Sequence, residues 1–204
     1  LKRYNTFGIE AKARYFVKVQ SIDDIFALLQ TKHFQENRWI VLGGGSNLLF
    51  RRDFPGLIIL VDIKGVHYEG STQSNTILKV GAGENWNDFV ELCVKNRLYG
   101  IENLVYIPGK VGAAPVQNIG AYGVEQKDFC HKVEFVDTIT GKIEVLHKDE
   151  CNFDYRNSIF KSNLAGKTII TNVYYELSRE WKPNINYKDI KQELDKFSFV
   201  EPDA

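Results

Sequence analysis

Apolar positions in the first sixty residues switch between two periods. Arg14-Tyr-Phe-Val-Lys-Val19 reads as a strand, and Trp39-Ile-Val-Leu42 as a buried one. Between them, Ser21-Ile-Asp-Asp24 has the form of a helix-capping box, and Ile22, Ile25, Phe26 and Leu29 recur at helical spacing. After Leu48-Leu-Phe50, the stretch Arg51-Arg-Asp-Phe-Pro-Gly56 reads as a polar turn and Leu57-Ile-Ile-Leu-Val61 as another strand. The pattern predicts a β-α-β-β unit over residues 1–63. A second block, 64–200, opens near Lys64-Gly65 with a strand at Thr76–Val80 and a helix from about Glu84 to Asn96. Trp86, Phe89, Val90 and Cys93 form that helix's apolar stripe. Val133–Asp137 and Lys142–Leu146 flank Thr138-Ile-Thr-Gly141 as a hairpin, and Thr168–Leu177 is a long strand. Lys188–Phe197 follows as a short helix with Ile190, Leu194 and Phe197 inward. The class is α+β, in two lobes, without internal repeats.

Two glycine-bearing stretches interrupt these elements. Gly43-Gly-Gly-Ser-Asn47 follows a strand, and Gly43 and Gly45 fit the pattern G-x-G-x-x-G until Leu48 stands at its last position. Asp62 falls where that motif wants an acid, but Ser46–Gly56 is too short and too punctuated for a crossover helix. What survives is an anion-binding glycine turn, with Ser46 and Asn47 as extra donors; a plain hairpin turn is its rival. The second stretch is the run Ile107–Gly123. Its seventeen residues include four glycines, two prolines and three alanines, and no acidic side chain. Gly and Pro break any helical period, so the run is suited to bringing bare backbone N–H groups against something flat or anionic. Gln117 and Asn118 add side-chain donors and acceptors there, and Tyr122 an aromatic face with a polar tip. Farther on, Arg156 sits in the loop Phe153-Asp-Tyr-Arg-Asn-Ser-Ile-Phe160. A surface salt bridge is the plain reading of a lone arginine, but Phe153, Tyr155 and Phe160 imply partial burial, where a guanidinium grips a carboxylate or phosphate.

Composition narrows the classes. The chain has 204 residues and balances 26 basic against 26 acidic side chains, which argues against nucleic acid or an anionic membrane surface as the main partner. No apolar run reaches the ~20 residues of a spanning helix, and no signal-peptide core is visible, so the cytoplasm is expected. Cys93, Cys130 and Cys151 are odd in number and without a C-x-x-C pair, so neither a disulfide framework nor a metal site is indicated. His33, His67, His131 and His147 lie in unrelated, mostly polar contexts and read as surface residues. The lack of an initiating Met suggests that a few leading residues are missing.

Asn5-Thr-Phe-Gly8, Gly43-Gly-Gly-Ser-Asn-Leu48, Gly81-Ala-Gly-Glu-Asn-Trp86, the run Ile107–Gly123 and Tyr155-Arg-Asn-Ser-Ile-Phe160 occur in this order. Together they resemble the UDP-N-acetylenolpyruvoylglucosamine reductase (UDP-N-acetylmuramate dehydrogenase) family, type I, over essentially the whole chain. The resemblance implies a two-lobed FAD-binding fold of the vanillyl-alcohol-oxidase (PCMH) type. It also implies non-covalent FAD, NADPH as hydride donor, and reduction of UDP-N-acetylglucosamine enolpyruvate to UDP-N-acetylmuramate for peptidoglycan synthesis. In that scheme Gly43, Gly44, Gly45, Ser46, Asn47 and Leu48 cradle the pyrophosphate. Val111, Gly112, Ala113, Ala114, Gln117, Asn118, Gly120, Ala121 and Tyr122 line the rest of the cofactor, with Ile170 near the ring. Arg156 matches the active-site arginine that pairs with the substrate carboxylate and stabilises enolate charge. Tyr187 matches the tyrosine that closes over the substrate's diphosphate.

Two departures stand out. Ala113 and Ala114 replace a frequent serine, so hydroxyl contacts are lost while backbone N–H groups are expected to remain. The family's third domain, with the serine that protonates the enolate and a late glutamate, has no counterpart, and 201–204 falls about where it should begin. The chain is therefore expected to be the FAD-binding portion of a monomeric reductase, incomplete for turnover. A non-catalytic flavin- or nucleotide-binding module of the same superfamily is the alternative.

Overall fold

The computed structural model describes residues 1–197, the side chain of Phe197 excepted, so the expected boundary at 201–204 and the inward turn of Phe197 lie outside the described residues. The first strand, β1 (Ala13–Val19), leads into α1 (Ile22–Leu29) through the predicted cap. Ser21 Oγ accepts from Asp24 N at 3.1 Å while the Asp24 carboxylate accepts from Ser21 N at 3.0 Å, which satisfies two of the helix's free donors. A one-turn α2 (Lys32–Gln35) precedes β2 (Trp39–Leu42), and β3 (Phe54–Val61) completes a parallel sheet ordered β1-β3-β2.

The predicted turn at Arg51–Gly56 is shorter than expected, because Phe54, Pro55 and Gly56 already belong to β3. They sit where the β1 register shifts between Ala13 and Tyr15, a place where a proline's missing N–H costs no ladder bond. Leu57–Leu60 are nearly continuously buried, as a central parallel strand requires. β2 and β3 lie parallel although a loop, not a helix, joins them. That loop is the glycine turn.

The second sheet is antiparallel and ordered β4-β5-β10-β8-β9, with β4 (Val66–Ser71), β5 (Asn75–Gly81), β8 (Cys130–Asp137), β9 (Lys142–His147) and β10 (Thr168–Ser178). β6 (Gly120–Ala121) and β7 (Val124–Glu125) form a two-residue-turn hairpin beside it. The pattern of apolar residues did not predict β4: it is an edge strand with Tyr68 63% exposed, so no buried face marks it in the sequence. β10 is the longest strand and the most buried, at the centre of the sheet. α3 (Trp86–Lys95) is capped by the Asn85 side chain, and all four residues of its predicted stripe are buried. α4 (Lys188–Phe197) closes the described chain with Ile190 and Leu194 half-buried.

One buried cluster joins both sheets: Val19, Ile59 and Val61 from the first pack with Leu78, Val80 and Val173 from the second. Trp86 anchors its centre. Its ring meets Tyr175 and Phe89 at 5.7 and 5.9 Å, and its indole N–H donates to Leu104 O at 2.8 Å. All three cysteines are free and buried, and burial pushes the thiols of Cys93 and Cys151 up to about 12 and that of Cys130 up as well. On the opposite face of the second sheet lies Glu134. Its carboxylate accepts from Thr171 Oγ1 (2.8 Å), Asn172 Nδ2 (2.6 Å), Lys79 Nζ (3.1 Å) and Tyr174 Oη (3.1 Å). Thr171 is the bulged residue of β10 against β8, so the network clamps the bulge.

Two tests of this packing are direct. Truncation of Trp86 to Ala removes a large buried ring and orphans Leu104 O, and should cost about 3–5 kcal/mol in urea unfolding; a loss below ~1 kcal/mol would show that the ring does not anchor the core. Burial pushes the Glu134 carboxyl up, but the bonds from Thr171, Asn172 and Lys79 outweigh it and hold the group below its ordinary value of 4.5. A depressed folded value means stability that is present above the unfolded value and lost as pH falls through the folded one. Glu134→Gln should therefore be less stable than the parent at pH 7, with the gap closing in acid. A gap independent of pH would contradict the clamp.

Candidate functional site

A cleft of about 380 Å³ opens between the two sheets, and both glycine-bearing stretches line it. The whole of Gly43–Leu48 faces it from the first sheet, and Gly112, Ala113, Ala114, Gln117 and Ile170 from the second. Pro108, Gly109, Lys110 and the backs of Trp39–Leu42 complete the walls.

The two stretches are pressed together without side chains between them. A Cβ on Gly44 would lie 2.9 Å from Gly109 Cα, and one on Gly112 would lie 2.5 Å from the Ala82 Cβ. Gly45 turns in the left-handed region at φ +68°, where a Cβ would strike Tyr4 O at 2.0 Å. Side chains then clasp the contact: Ser46 Oγ donates to Pro108 O at 3.0 Å, and Asn47 Nδ2 to Gln117 Oε1 at 2.7 Å. The Ser46 hydroxyl donor and one of the two Asn47 amide donors are thus spent on the joint.

Backbone donors divide unequally. Among the described residues, none of the amides of Gly43–Leu48 donates to a protein acceptor, which leaves a row of free N–H groups at the end of β2, a strand expected to be buried but in which only Leu42 is. The second stretch differs from expectation. Val111 N donates to Glu84 O, Gly112 N to Ala82 O, Ala113 N to Lys110 O and Ala114 N to Val111 O, all at 2.9–3.1 Å. The chain just after β5 takes the first two and a tight 3-10 turn the last two, so this segment offers the cleft an apolar wall of Cα and methyl groups instead of donors. Val111 itself is wholly buried, away from the cleft.

The rest of the run leads outward. Asn118 is buried and does not line the cleft: its Nδ2 donates to Asp154 O at 3.1 Å and its Oδ1 accepts from Lys127 N at 3.1 Å. Ser158 Oγ donates to Val116 O at 2.7 Å, so the loop carrying Arg156 is docked on the glycine run at two points. Gly120, Ala121 and Tyr122 also lie outside the cleft, in the β6–β7 hairpin, whose turn residues Tyr122 and Gly123 have φ +50° and +77° as a mirror-image two-residue turn requires. Tyr122 meets Tyr187 edge-on at 5.5 Å, and Asn103 Nδ2 bridges to Asn184 O at 2.8 Å, which brings Tyr187 to the hairpin.

Arg156 is exposed, contrary to the partial burial its aromatic neighbours suggested. It stands at the tip of a turn bridged by Asp154 and Asn157, with its guanidinium 6.0 Å from the ring centroid of Tyr155, which is itself 79% exposed. Its φ of +53° is a conformation usually left to glycine. The guanidinium reaches Gly120 O at 2.8 Å, and Lys161 Nζ fixes the Arg156 carbonyl at 2.9 Å. Among the described residues, four of the six non-glycine residues with positive φ lie in or against the glycine run: Asn118 and Tyr122 within it, Tyr106 just before it and Arg156 bonded to it. Backbone strain concentrates where an enzyme would place its working groups. Sequence reading missed Lys110, Ala82 and Phe160 as cleft residues. A lone cation in an otherwise uncharged run was the available signal for the first; the other two carry none. Among the described residues no cluster of His, Cys, Asp and Glu could hold a metal, and no helix is long and apolar enough to cross a membrane.

Comparison with known proteins agrees with a cofactor cleft. A family model described as "FAD binding domain" matches residues 13–147. The UDP-N-acetylenolpyruvoylglucosamine reductase of Photobacterium profundum is 43% identical over 92% of this chain and 54% of its own length. That of Bacteroides fragilis is 41% identical over 100% of this chain and 61% of its own length. The chain thus spans just over half the length of the curated relatives it matches. The crystal structure of UDP-N-acetylenolpyruvylglucosamine reductase (MurB) from Thermus caldophilus superposes with a TM-score of 0.72 and 25% identity, over 98% of this chain and 68% of that one. Cholesterol oxidase from B. sterolicum shares the fold alone, with a TM-score of 0.57 at 13% identity over 80% of this chain and 34% of that one. The architecture is the two-lobed α+β FAD-binding fold, and with a match that runs from β1 to β9 the chain belongs to the FAD-binding domain family.

Proposed function

We propose that the chain is the FAD-binding part of a UDP-N-acetylenolpyruvoylglucosamine reductase, a cytoplasmic enzyme of peptidoglycan precursor synthesis that uses NADPH. The observation that carries this reading is the row of free amides on Gly43–Leu48, set in one cleft with the apolar wall Gly112–Ala114. Such a row suits a diphosphate and such a wall a flat ring, so the residues present fit FAD. Among the described residues, no histidine or cysteine lines the cleft, which supports a cofactor held without a covalent bond. Bound there, FAD would supply a carrier that takes a hydride from NADPH and passes it to the enolpyruvyl group of the substrate.

The chain's own residues do the rest. The Gly43–Leu48 amides hold the diphosphate oxygens, and the Asn47–Gln117 and Ser46–Pro108 clasps keep the two lobes at a fixed separation around it. Ala113, Ala114 and Ile170 exclude water from the ring's side of the cleft. Arg156, exposed at the end of the glycine run and anchored by Gly120 O, has guanidinium donors left for the carboxylate of UDP-N-acetylglucosamine enolpyruvate. There it would stabilise negative charge as that carboxylate becomes part of an enolate. Tyr187, half-open beside Tyr122, would close over the substrate's diphosphate.

Titration of the flavin-free chain with FAD, followed by quenching of flavin fluorescence, tests the cleft. Gly44→Ala pushes a methyl against Gly109 Cα and should weaken FAD at least about tenfold with the fold intact. Equal affinity in parent and variant would remove the cleft from FAD binding. In a full-length reductase carrying this chain, Arg156→Ala should lower turnover of the enolpyruvyl substrate about a hundredfold with FAD still bound. Unchanged turnover would leave the chain as a flavin-binding module in which Arg156 has no catalytic part.

A further inference from the structure

The charges around the cleft do not balance locally. Lys110 is the only charged residue of the Ile107–Gly123 run, and it lines the cleft together with the glycine turn. A Cβ built on Gly43 would lie 3.8 Å from the Lys110 Cβ, so its stem starts against the row of free amides. Its backbone is held firmly: Ala113 N donates to Lys110 O, Trp86 N to Gly109 O, and an isolated bridge pairs Lys110 with Asn85.

Around it stand Lys18, Lys64, Asp62 and Glu84. Asp62 takes Lys18 at 3.6 Å and Lys64 at 3.7 Å, and Glu84 takes Lys64 at 3.4 Å and Gly65 N at 2.7 Å. Both carboxylates are engaged, and among the described residues Lys110 makes no ion pair or side-chain hydrogen bond. Three ammoniums share two carboxylates. Partial burial, and next the Lys64 ammonium, hold Lys110 below the usual lysine range, and the attraction of Asp62 and Glu84, which already pair with other lysines, only partly offsets them. An ammonium partly removed from water and without a direct ion pair is costly unless an anion arrives, and the unpartnered amides of Gly43–Leu48, which suit phosphate oxygens, line the same cleft.

We propose that Lys110 is the counter-charge of the cleft, pairing with the diphosphate of a dinucleotide ligand that the Gly43–Leu48 amides alone would hold only as neutral donors. This rests on the assignment of the cleft to FAD. The glycine turn then fixes where the phosphates lie, and Lys110 makes their binding depend on charge.

The test compares FAD with riboflavin, which keeps the ring system and lacks phosphates, on the flavin-free parent, Lys110→Ala and Lys110→Arg, at low and high salt. Lys110→Ala should weaken FAD about tenfold, flatten the salt dependence of FAD binding and leave riboflavin unaffected, while Lys110→Arg should restore FAD affinity and its salt dependence. If Lys110→Ala weakens FAD and riboflavin alike, or changes neither, the lysine serves the Asp62–Glu84 cluster and the proposal is wrong. If the parent binds no FAD under any condition, the assignment of the cleft itself fails, an outcome distinct from parent binding that ignores the substitution.

Discussion

Two backbone segments meet where no side chain fits between them, and the site depends on that contact. Gly44 faces Gly109 so closely that a single methyl would part them. After β2 the chain runs as a loop into this contact, and among the described residues its amides have no protein partner. A free N–H at the edge of a core is ordinarily a liability. Here the fold preserves a whole row of them, and two side-chain clasps hold the row open toward the second sheet. The geometry is inexpensive for glycine and for no other residue.

The second sheet supplies a rigid backing. β10 runs through its middle, and the bulge at Thr171 brings Ile170 to the cleft while Thr171 O accepts from Ala82 N, next to Gly112. The Glu134 network fixes that bulge from the far side. Position in the cleft is therefore set by three layers: a polar clamp, a central strand, and a 3-10 turn that turns its methyls inward. Arg156 belongs to a different regime. It is displayed at a strained turn, held by its own side chain and by Asn118 and Ser158 beneath, and so its donors stay open to solvent.

Much of this was legible in the residues. The Ser21 cap, the α3 stripe, the hairpin around Gly141 and the long strand at Thr168 all carried local signals that the fold kept, because burial and periodicity agree there. The strand β4 was invisible because an edge strand needs only a neighbour's hydrogen bonds, not an apolar face. The glycine run contributes part of the cleft wall, yet its residues could not reveal their allegiance. Whether an amide at Gly112 faces a ligand or Ala82 O depends on a strand end thirty residues earlier in the chain. Asn118 looked like a ligand donor for the same reason: composition marks a polar group in a pale loop and says nothing about which backbone it will bind. Aromatic neighbours likewise suggested a covered Arg156, but Tyr155, whose ring lies 6.0 Å from the guanidinium, is itself 79% exposed, so the pair stays in solvent.

Sulfur in this protein is chemically silent. Cys93, Cys130 and Cys151 are shut inside the core, and a thiol held at about 12 is almost never the thiolate that alkylating and oxidising reagents attack. The native fold therefore keeps a clean background for site-directed labelling, and a single cysteine introduced on the surface would stand as the sole addressable handle for a spin or fluorescence probe.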